Sequence, residues 1–510
     1  MIEPQRELDT HTVENQVPFL PSIDLYMMDL PLRESVRREG GGSQEERLSQ
    51  FGSVLGSETY REHGRLANVH APTFHPFDRF GHRIDEVRFH PSYHSLMGLA
   101  KESGIHSLAW TLPKGGHVVH SAMKYLLTQV EAGCCCPLTM TYAVAPTLEG
   151  HGAWADEVRT KVLSNEYDPR FLPISEKKGI TMGMAMTEKQ GGSDVRANSS
   201  QATLLEGEQY HLRGHKWFCS APMSDAFLTL AYTKKGLTCF FVPRVTPEGK
   251  RNRLHIQRLK DKLGNRSNAS AEIEYDRTWA RRIGEEGRGV PTIIEMVHHT
   301  RLDCAVAAVG LQRRALTEAL HHARHRKAFG RYLIDQPLMQ NVLADLCIEY
   351  EANLMMVFRV ARAYDEKDTL FARLAVAIAK YWSNKRCAYF VNEAMECLGG
   401  AGYIEESILP RLYREAPLNG IWEGSGNVIC LDILRTIHKA PDAFASLWSE
   451  LEKARGVSSI LDRELDALQN DLKSRENMVF QARRIVERLA LALQASLIAR
   501  FGTKALFHAF

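Results

Sequence analysis

At 510 residues, with 44% apolar and 25% charged residues, the chain is long enough for three or four domains of roughly 150 residues each and has the composition of an ordinary globular protein. Its 64 basic and 61 acidic residues leave a net charge of only +3, which excludes a strong overall field for nucleic acid. No apolar stretch approaches the ~18 residues of a membrane span, and residues 1–18, with Glu3, Asp9 and Glu14, lack the apolar core of a secretory signal. Ten cysteines form no C-x-x-C pair, and Cys134, Cys135 and Cys136 are adjacent. They are expected as free thiols in a reducing compartment, which places the chain in the cytoplasm with no membrane partner.

Residues 1–180 read as mainly helical, with a loop at Gly40, Gly41 and Gly42 and no strong period-two run. Residues 181–285 change period. Runs over 226–233 and 237–242 flank Lys234-Lys235-Gly236, which predicts a hairpin, and Ala271, Ile273 and Tyr275 alternate with polar residues as in a half-buried strand. A β-barrel or sandwich is expected there. Over 286–437 the helical period returns, with Pro291 placed to start a helix and apolar pairs such as Leu316 with Leu320 and Leu346 with Tyr350. Three or four long helices fit, ending near Arg435. Residues 438–510 form a further helical unit: Phe444, Leu447, Trp448 and Leu451 share a face, as do Leu461, Leu465, Leu468 and Leu472, and 478–500 is a third helical stretch. The fold class is therefore α+β and mainly helical, in the order helical, β, helical, plus a helical tail.

The most specific segment is residues 185–197, A-M-T-E-K-Q-G-G-S-D-V-R-A, which ends an apolar strand and opens a glycine turn. Gly191 and Gly192 let backbone N–H groups approach a ligand, and Thr187 and Ser193 add hydroxyls, so the turn can hold a phosphate or the polar edge of a flat cofactor. On those residues alone a plain turn is the simpler reading. A second pattern runs through Glu396, Gly399-Gly400, Gly402-Tyr403, Glu406, Arg411 and Glu415. His321 and His325 stand at i, i+4 but have no third ligand, so they read as a solvated helix face and no metal is expected. Gly400-Ala401-Gly402 follows no strand and is not a dinucleotide-binding turn.

Both patterns match the two signatures of the acyl-CoA dehydrogenase family, in the family's order, and the chain resembles that family. The resemblance implies the acyl-CoA dehydrogenase fold, FAD, a homotetramer and an acyl-CoA substrate, with a short branched, isovaleryl-like acyl group among the candidates. It implies that Met186, Thr187, Gly192, Ser193, Trp217, Phe218 and Ser220 line the flavin, with Trp422, Ser425, Gly426 and Asn427 from the C-terminal bundle. Phe218 stands where the family usually has tryptophan, and Ser220 where it places a hydroxyl near flavin N5. Arg326 and Phe329 of R-x-x-F-G, with Glu396, Gly399 and Gly400, would serve the FAD of a neighbouring subunit. Glu423, in W-E-G-S-G-N, matches the catalytic base that takes the α-proton. The position some family members use instead is occupied by Thr300, before Arg301.

A narrower resemblance, through residues 10–16, 64–68, 85–91, 186–195, 259–270 and 412–415 and the extra helical unit, is to the AidB-type flavoproteins of the bacterial adaptive response to alkylation. That branch implies a second function, a flavoprotein that binds double-stranded DNA and protects or repairs alkylated bases with little dehydrogenase turnover. From Thr436 to Phe510 the chain carries 11 Lys/Arg against 9 Asp/Glu, a small surplus, with Arg483, Arg484 and Arg488 clustered as the candidate DNA contacts.

Overall fold

The computed structural model describes residues 10–473 and 478–510. The N-terminal region is helical because its helices carry their own start signals. Asp29 accepts Leu32 N at 3.2 Å at the head of Leu30–Arg38, Ser57 caps Glu58–Val69, and Pro91 opens Pro91–Glu102. Gly116–Thr128 and Cys135–Ala143 are buried on every face and form the centre of this region. One departure from the sequence reading is an antiparallel hairpin, Thr73–Phe77 with Arg83–Arg88. Apart from buried Asp85 its residues are half-buried or exposed on both faces, so no apolar alternation marks it. Phe74 and Val87 anchor it against the core of the β region.

The β region follows the expected hairpin closely: Ala226–Thr233 pairs with Gly236–Pro243 across the predicted turn. Ala226–Thr233 also runs parallel to Met182–Ala185. Gln209–Ser220 joins Gln201–Glu206 to Ser270–Ile283, which reaches Gly236–Pro243 in turn. A single bridge from Gln201 to Tyr232 completes the circuit, so the strands close into a barrel. Ala271, Ile273 and Tyr275 point into it, as their alternation predicts.

Four helices then form the bundle that carries the candidate base: Gly289–His325, Pro337–Asp365, Thr369–Glu396 and Gly426–Lys439. Pro291 sits in the first turn of the first of these, where its missing N–H costs nothing. The tail comprises Pro441–Glu452, Ser459–Lys473, Ala482–Phe501 and Lys504–Ala509. Leu461, Leu465, Leu468 and Leu472 are all buried, and they join the same apolar core as the bundle. Buried Glu450 binds Arg359 at 2.9 Å and Arg500 at 2.6 Å, a polar bond between bundle and tail. Among the described residues no helix is long and apolar enough to cross a membrane.

Buried carboxylates cross-link the regions. Asp29 accepts from Tyr350 at 2.9 Å and from Tyr125, tying the first helix to the bundle. Asp303, on Gly289–His325, accepts from His120 at 2.7 Å and from Thr139, tying in both central N-terminal helices. At the junction of all three regions, Glu131 takes Gly133 N at 2.9 Å and Asn68 at 3.0 Å and binds Ser267 of the barrel. Glu415 takes Asn265 N from the same barrel loop at 2.6 Å. Burial, reinforced by Glu131, pushes the Glu415 carboxyl from 4.5 up to about 7. An acid whose folded pKa is raised contributes stability that is present at pH 4.5 and below and lost as pH climbs through 7. Glu415→Gln keeps the acceptor and removes the charge. In urea unfolding it is expected to be more stable than the wild type at pH 8 by about 2 kcal/mol, with the gap shrinking toward pH 5. Parallel stability profiles for the two proteins would contradict this.

Candidate active site

Gly289–His325 presents Thr300 and Arg301, and Thr369–Glu396 presents Lys380, to the loop that enters Gly426–Lys439. Glu423 lies in that loop at φ +59, a left-handed conformation that costs a residue with a side chain on the order of 1 kcal/mol. Two buried cations hold it there. Arg301 Nε donates to Glu423 O at 3.1 Å, and Lys380 Nζ donates to Trp422 O at 2.8 Å and to Gly424 O. Every carbonyl from 422 to 424 is thus pinned. Gly424 follows at φ +104, where a side chain would meet Ile429 at 2.9 Å. Arg301 is itself paired with Asp432 at 3.2 Å. Burial raises the Asp432 carboxyl, but Arg373, Arg301 and Arg435 converge on it and hold it well below the usual range.

The Glu423 side chain meets Thr300, whose Oγ1 donates to Oε2 at 2.9 Å. Burial raises the Glu423 carboxyl above its ordinary range, while Thr300, Lys380 and Arg301 pull it back. Burial also brings the Lys380 ammonium down to about 8. The sequence reading paired Thr300 with Glu423 and did not find Lys380 or Asp432. The signal for Lys380 was a lone cation after the apolar run Leu374 to Ala379.

On the barrel side, Glu188 fixes the 187–193 turn. It is fully buried against Lys216 at 2.8 Å and accepts Ser199 N at 2.6 Å. Burial opposes its charge, but Lys216 and the N–H donors win and hold the carboxyl at about 2. This pair was also absent from the sequence reading. Gly192 packs so tightly that a Cβ would meet Thr187 Oγ1 at 2.4 Å. Thr187 O accepts Trp217 N at 2.8 Å, which joins turn to strand, and Met186 is half-buried behind it, its carbonyl bonded to Asn198 at 3.1 Å. Ser193 lies exposed on the turn. The Gln209–Ser220 strand slips register between Lys216 and Cys219, and this bulge turns Trp217 and Phe218 outward. Phe218 is 48% exposed, with Lys260 Nζ 4.7 Å from its ring centre. Ser220, half-buried, closes the strand.

Trp422 lies half-buried with Nε1 on Asn419 Oδ1 at 2.8 Å. Ser425 starts the next helix without a side-chain cap, leaving the N–H groups of Gly426 and Asn427 open to a ligand. Asn427 Oδ1 accepts from Arg483 Nε at 2.7 Å, so the tail touches this loop. Arg488 is taken up by Glu464 and Asp471. Arg484 alone of the three tail arginines stands exposed with neither kind of partner among the described residues. The remaining predicted residues do not gather at Glu423. Arg326 donates to Asn15 O, and Phe329 caps a two-residue turn with 99% of its surface exposed. Glu396, Gly399 and Gly400 are exposed at the far end of Thr369–Glu396.

Residues 15–169 match the N-terminal domain of the adaptive response protein AidB, 183–278 the middle domain of acyl-CoA dehydrogenase, and 287–438 its C-terminal domain. The chain is 46% identical to the putative acyl-CoA dehydrogenase AidB of Escherichia coli, over 91% of this chain and 87% of that one. It is 30% identical to acyl-CoA dehydrogenase family member 11 of Caenorhabditis elegans, over 85% and 74%. The crystal structure of C. elegans ACDH-11 in complex with C11-CoA superposes with a TM-score of 0.90 at 28% identity, covering 98% of this chain and 92% of that one. Butyryl-CoA dehydrogenase of Megasphaera elsdenii, at 21% identity and a TM-score of 0.60 over 75% and 99%, shares the fold.

The site fits the family's cofactor, FAD. The open helix N-terminus at Gly426 suits a phosphate or carbonyl oxygen, the uncovered face of Phe218 suits a flat ring, and the tight turn at Gly192 admits no side chain in between. Through this kinship the chain belongs to the acyl-CoA dehydrogenase family, in its AidB-like branch, and is an FAD-dependent dehydrogenase.

Proposed function

We propose that the protein desaturates an acyl-CoA thioester between Cα and Cβ, with Glu423 as the base for the α-proton. The observation that carries this reading is a carboxylate raised by burial, 2.9 Å from Thr300, on a peptide that two buried cations pin in a left-handed conformation. FAD, when bound, supplies the acceptor for the β-hydrogen. The C11-CoA complex of the C. elegans relative supports a thioester substrate.

The α-proton is weakly acidic, so its base must be ionised in the empty site yet basic enough to accept the proton. Burial supplies the basicity, and Thr300, Lys380 and Arg301 keep the group ionised. The Thr300 hydroxyl has two acceptors in reach, Glu423 Oε2 at 2.9 Å and Val297 O at 3.0 Å. Its single hydrogen serves one at a time. While Glu423 is ionised the hydrogen goes to the carboxylate. Once Glu423 holds the α-proton, the hydroxyl turns to Val297 and accepts from the new acid. Neither state leaves a buried oxygen unpaired.

The assembly we propose is a cytoplasmic homotetramer. All ten cysteines are free, nine of them buried, as suits a reducing compartment. Bare Phe329, beside Arg326, supports a neighbouring subunit that covers both. A second reading, contact with double-stranded DNA, draws support from the AidB kinship and from exposed Arg484. It ranks lower because Arg483 and Arg488 are already engaged.

Glu423→Gln is expected to retain FAD and to slow anaerobic flavin reduction by an acyl-CoA panel by at least about 10³-fold. Unchanged stopped-flow rates would remove Glu423 from the role. Thr300→Val withdraws a donor from the carboxylate and so raises its pKa. The acidic limb of kcat/KM should then move to higher pH by about one unit, and an unmoved limb would show that Thr300 does not tune the base. Phe329→Asp should shift the species seen in sedimentation velocity below the tetramer and lower the bound flavin per chain. A tetramer with full flavin would exclude Phe329 from the interface.

A further inference from the structure

A cavity of about 530 Å³ lies between the N-terminal helices and the barrel, and neither Glu423 nor its hydrogen-bond partners Thr300 and Arg301 line it. Thr181 and Asp225, on its wall, precede the parallel strands Met182–Ala185 and Ala226–Thr233. The 187–193 turn follows the first of those strands. The cavity and the cofactor-binding turn are therefore at opposite ends of the same strand pair.

Helix Pro91–Glu102 supplies one wall. Tyr93, Met97 and Lys101 recur every four residues and share one face, so a phenol, a thioether and an ammonium stand in a row along the cavity. Ile180, Met223 and Phe89 add apolar surface. Part of the charge is internally settled: Lys177 binds Asp225 at 2.7 Å, Arg170 binds Asp168 at 2.7 Å, and Glu86 is held by Arg88 at 2.8 Å. Lys101, Arg244 and Arg251 make no direct ion pair among the described residues, with Asp225 and Asp85 acting on them from further off. Lys101, 1% exposed, has Ile180 O at 3.0 Å as its one hydrogen-bond acceptor among the described residues. Arg244 donates to backbone carbonyls, Met223 O at 3.0 Å and Asp85 O at 3.5 Å. Arg244 and Arg251 both lie on the Phe171 ring, 4.5 and 4.3 Å from its centre. The Tyr93 hydroxyl, on a side chain only 2% exposed, has no hydrogen-bond partner among the described residues. A buried hydroxyl without a partner, beside a buried ammonium with one acceptor for its three N–H groups, points to a ligand that brings its own acceptors.

We propose that this cavity is a second ligand site, which takes a small organic monocarboxylate with an apolar body. The body lies along Met97 and Ile180, and the oxygens meet the unsatisfied donors of Lys101, Tyr93 and the Arg244–Arg251 pair. Burial pushes the Lys101 ammonium down to about 7, and a bound carboxylate would restore its charge. A neutral ligand of the same shape would add no charge opposite Lys101 and bind less well.

The test is calorimetric titration of the flavin-loaded enzyme with octanoate, and with 1-octanol as its neutral counterpart. Octanoate should bind, and octanol at least tenfold more weakly. Lys101→Met should weaken octanoate at least tenfold, because a charge-assisted hydrogen bond is lost. Tyr93→Phe removes one oxygen and nothing from the packing, so it keeps the fold and should weaken octanoate severalfold. Both variants should reduce flavin with acyl-CoA as the wild type does. No binding of octanoate, or equal binding by wild type and both variants, overturns the proposal. So does binding that Glu423→Gln abolishes and Tyr93→Phe leaves intact, which would place octanoate in the catalytic site.

Discussion

The grip of Arg301 and Lys380 on residues 422–424 is the constraint around which the catalytic half is arranged. A carboxylate on a left-handed residue points where the chain would not send it unaided, and three hydrogen bonds to backbone carbonyls hold it in that direction. Those bonds come from two different helices, so both must stand at fixed height and rotation beside the loop. Each cation is buried, and a buried cation needs compensation. Arg301 finds it in Asp432, whereas Lys380 relies on carbonyl dipoles and on Glu423 itself. Glu423 and its support therefore stabilise one another electrostatically. The carboxylates at Asp29 and Asp303 serve the same end at longer range by fixing the N-terminal helices against the bundle, and Glu131 fixes them against the barrel.

The barrel uses a matching device. Glu188 and Lys216 form a sealed ion pair beneath the 187–193 turn, with Ser199 N completing the carboxylate's partners. Its role is geometric: it joins the turn to the strand that carries Trp217 and Phe218. A bulge in that strand then exposes an aromatic ring that regular alternation would have shared between barrel faces. Both sides of the site thus rest on desolvated charge, and both depend on donors contributed from segments distant in the chain.

How much of this was legible depends on whether the signal was local. The strands from 226 to 243 announced themselves, since two β-rich runs flanked a Lys-Lys-Gly turn. The hairpin at 73–88 did not, because its half-exposed strands are defined by what Phe74 and Val87 touch in the barrel. In the tail, the Leu461 to Leu472 stripe gave the helix and its buried face, but composition suggested a separate unit where the apolar core is continuous with the bundle. Glu423 was legible through family resemblance alone, for W-E-G-S-G-N by itself reads as a turn leading into a helix. Lys380 and Lys216 were hidden for a general reason. A buried lysine is recognisable only when its acceptors are known, and these are carbonyls and a carboxylate tens of residues away.

The contact between Arg483 and Asn427 bears on how the tail can be studied. Excising residues after 440 is the obvious way to ask what the appended helices do. Such a truncation would strip Leu447, Leu451 and Leu493 from the bundle's core, release Arg359 from Glu450, and free the Asn427 amide at the mouth of the flavin loop. A shortened protein that lost its colour would therefore say nothing about the tail's own task. Point changes on the outer face of Ala482–Phe501, which leave Arg483 in place, keep the two questions apart.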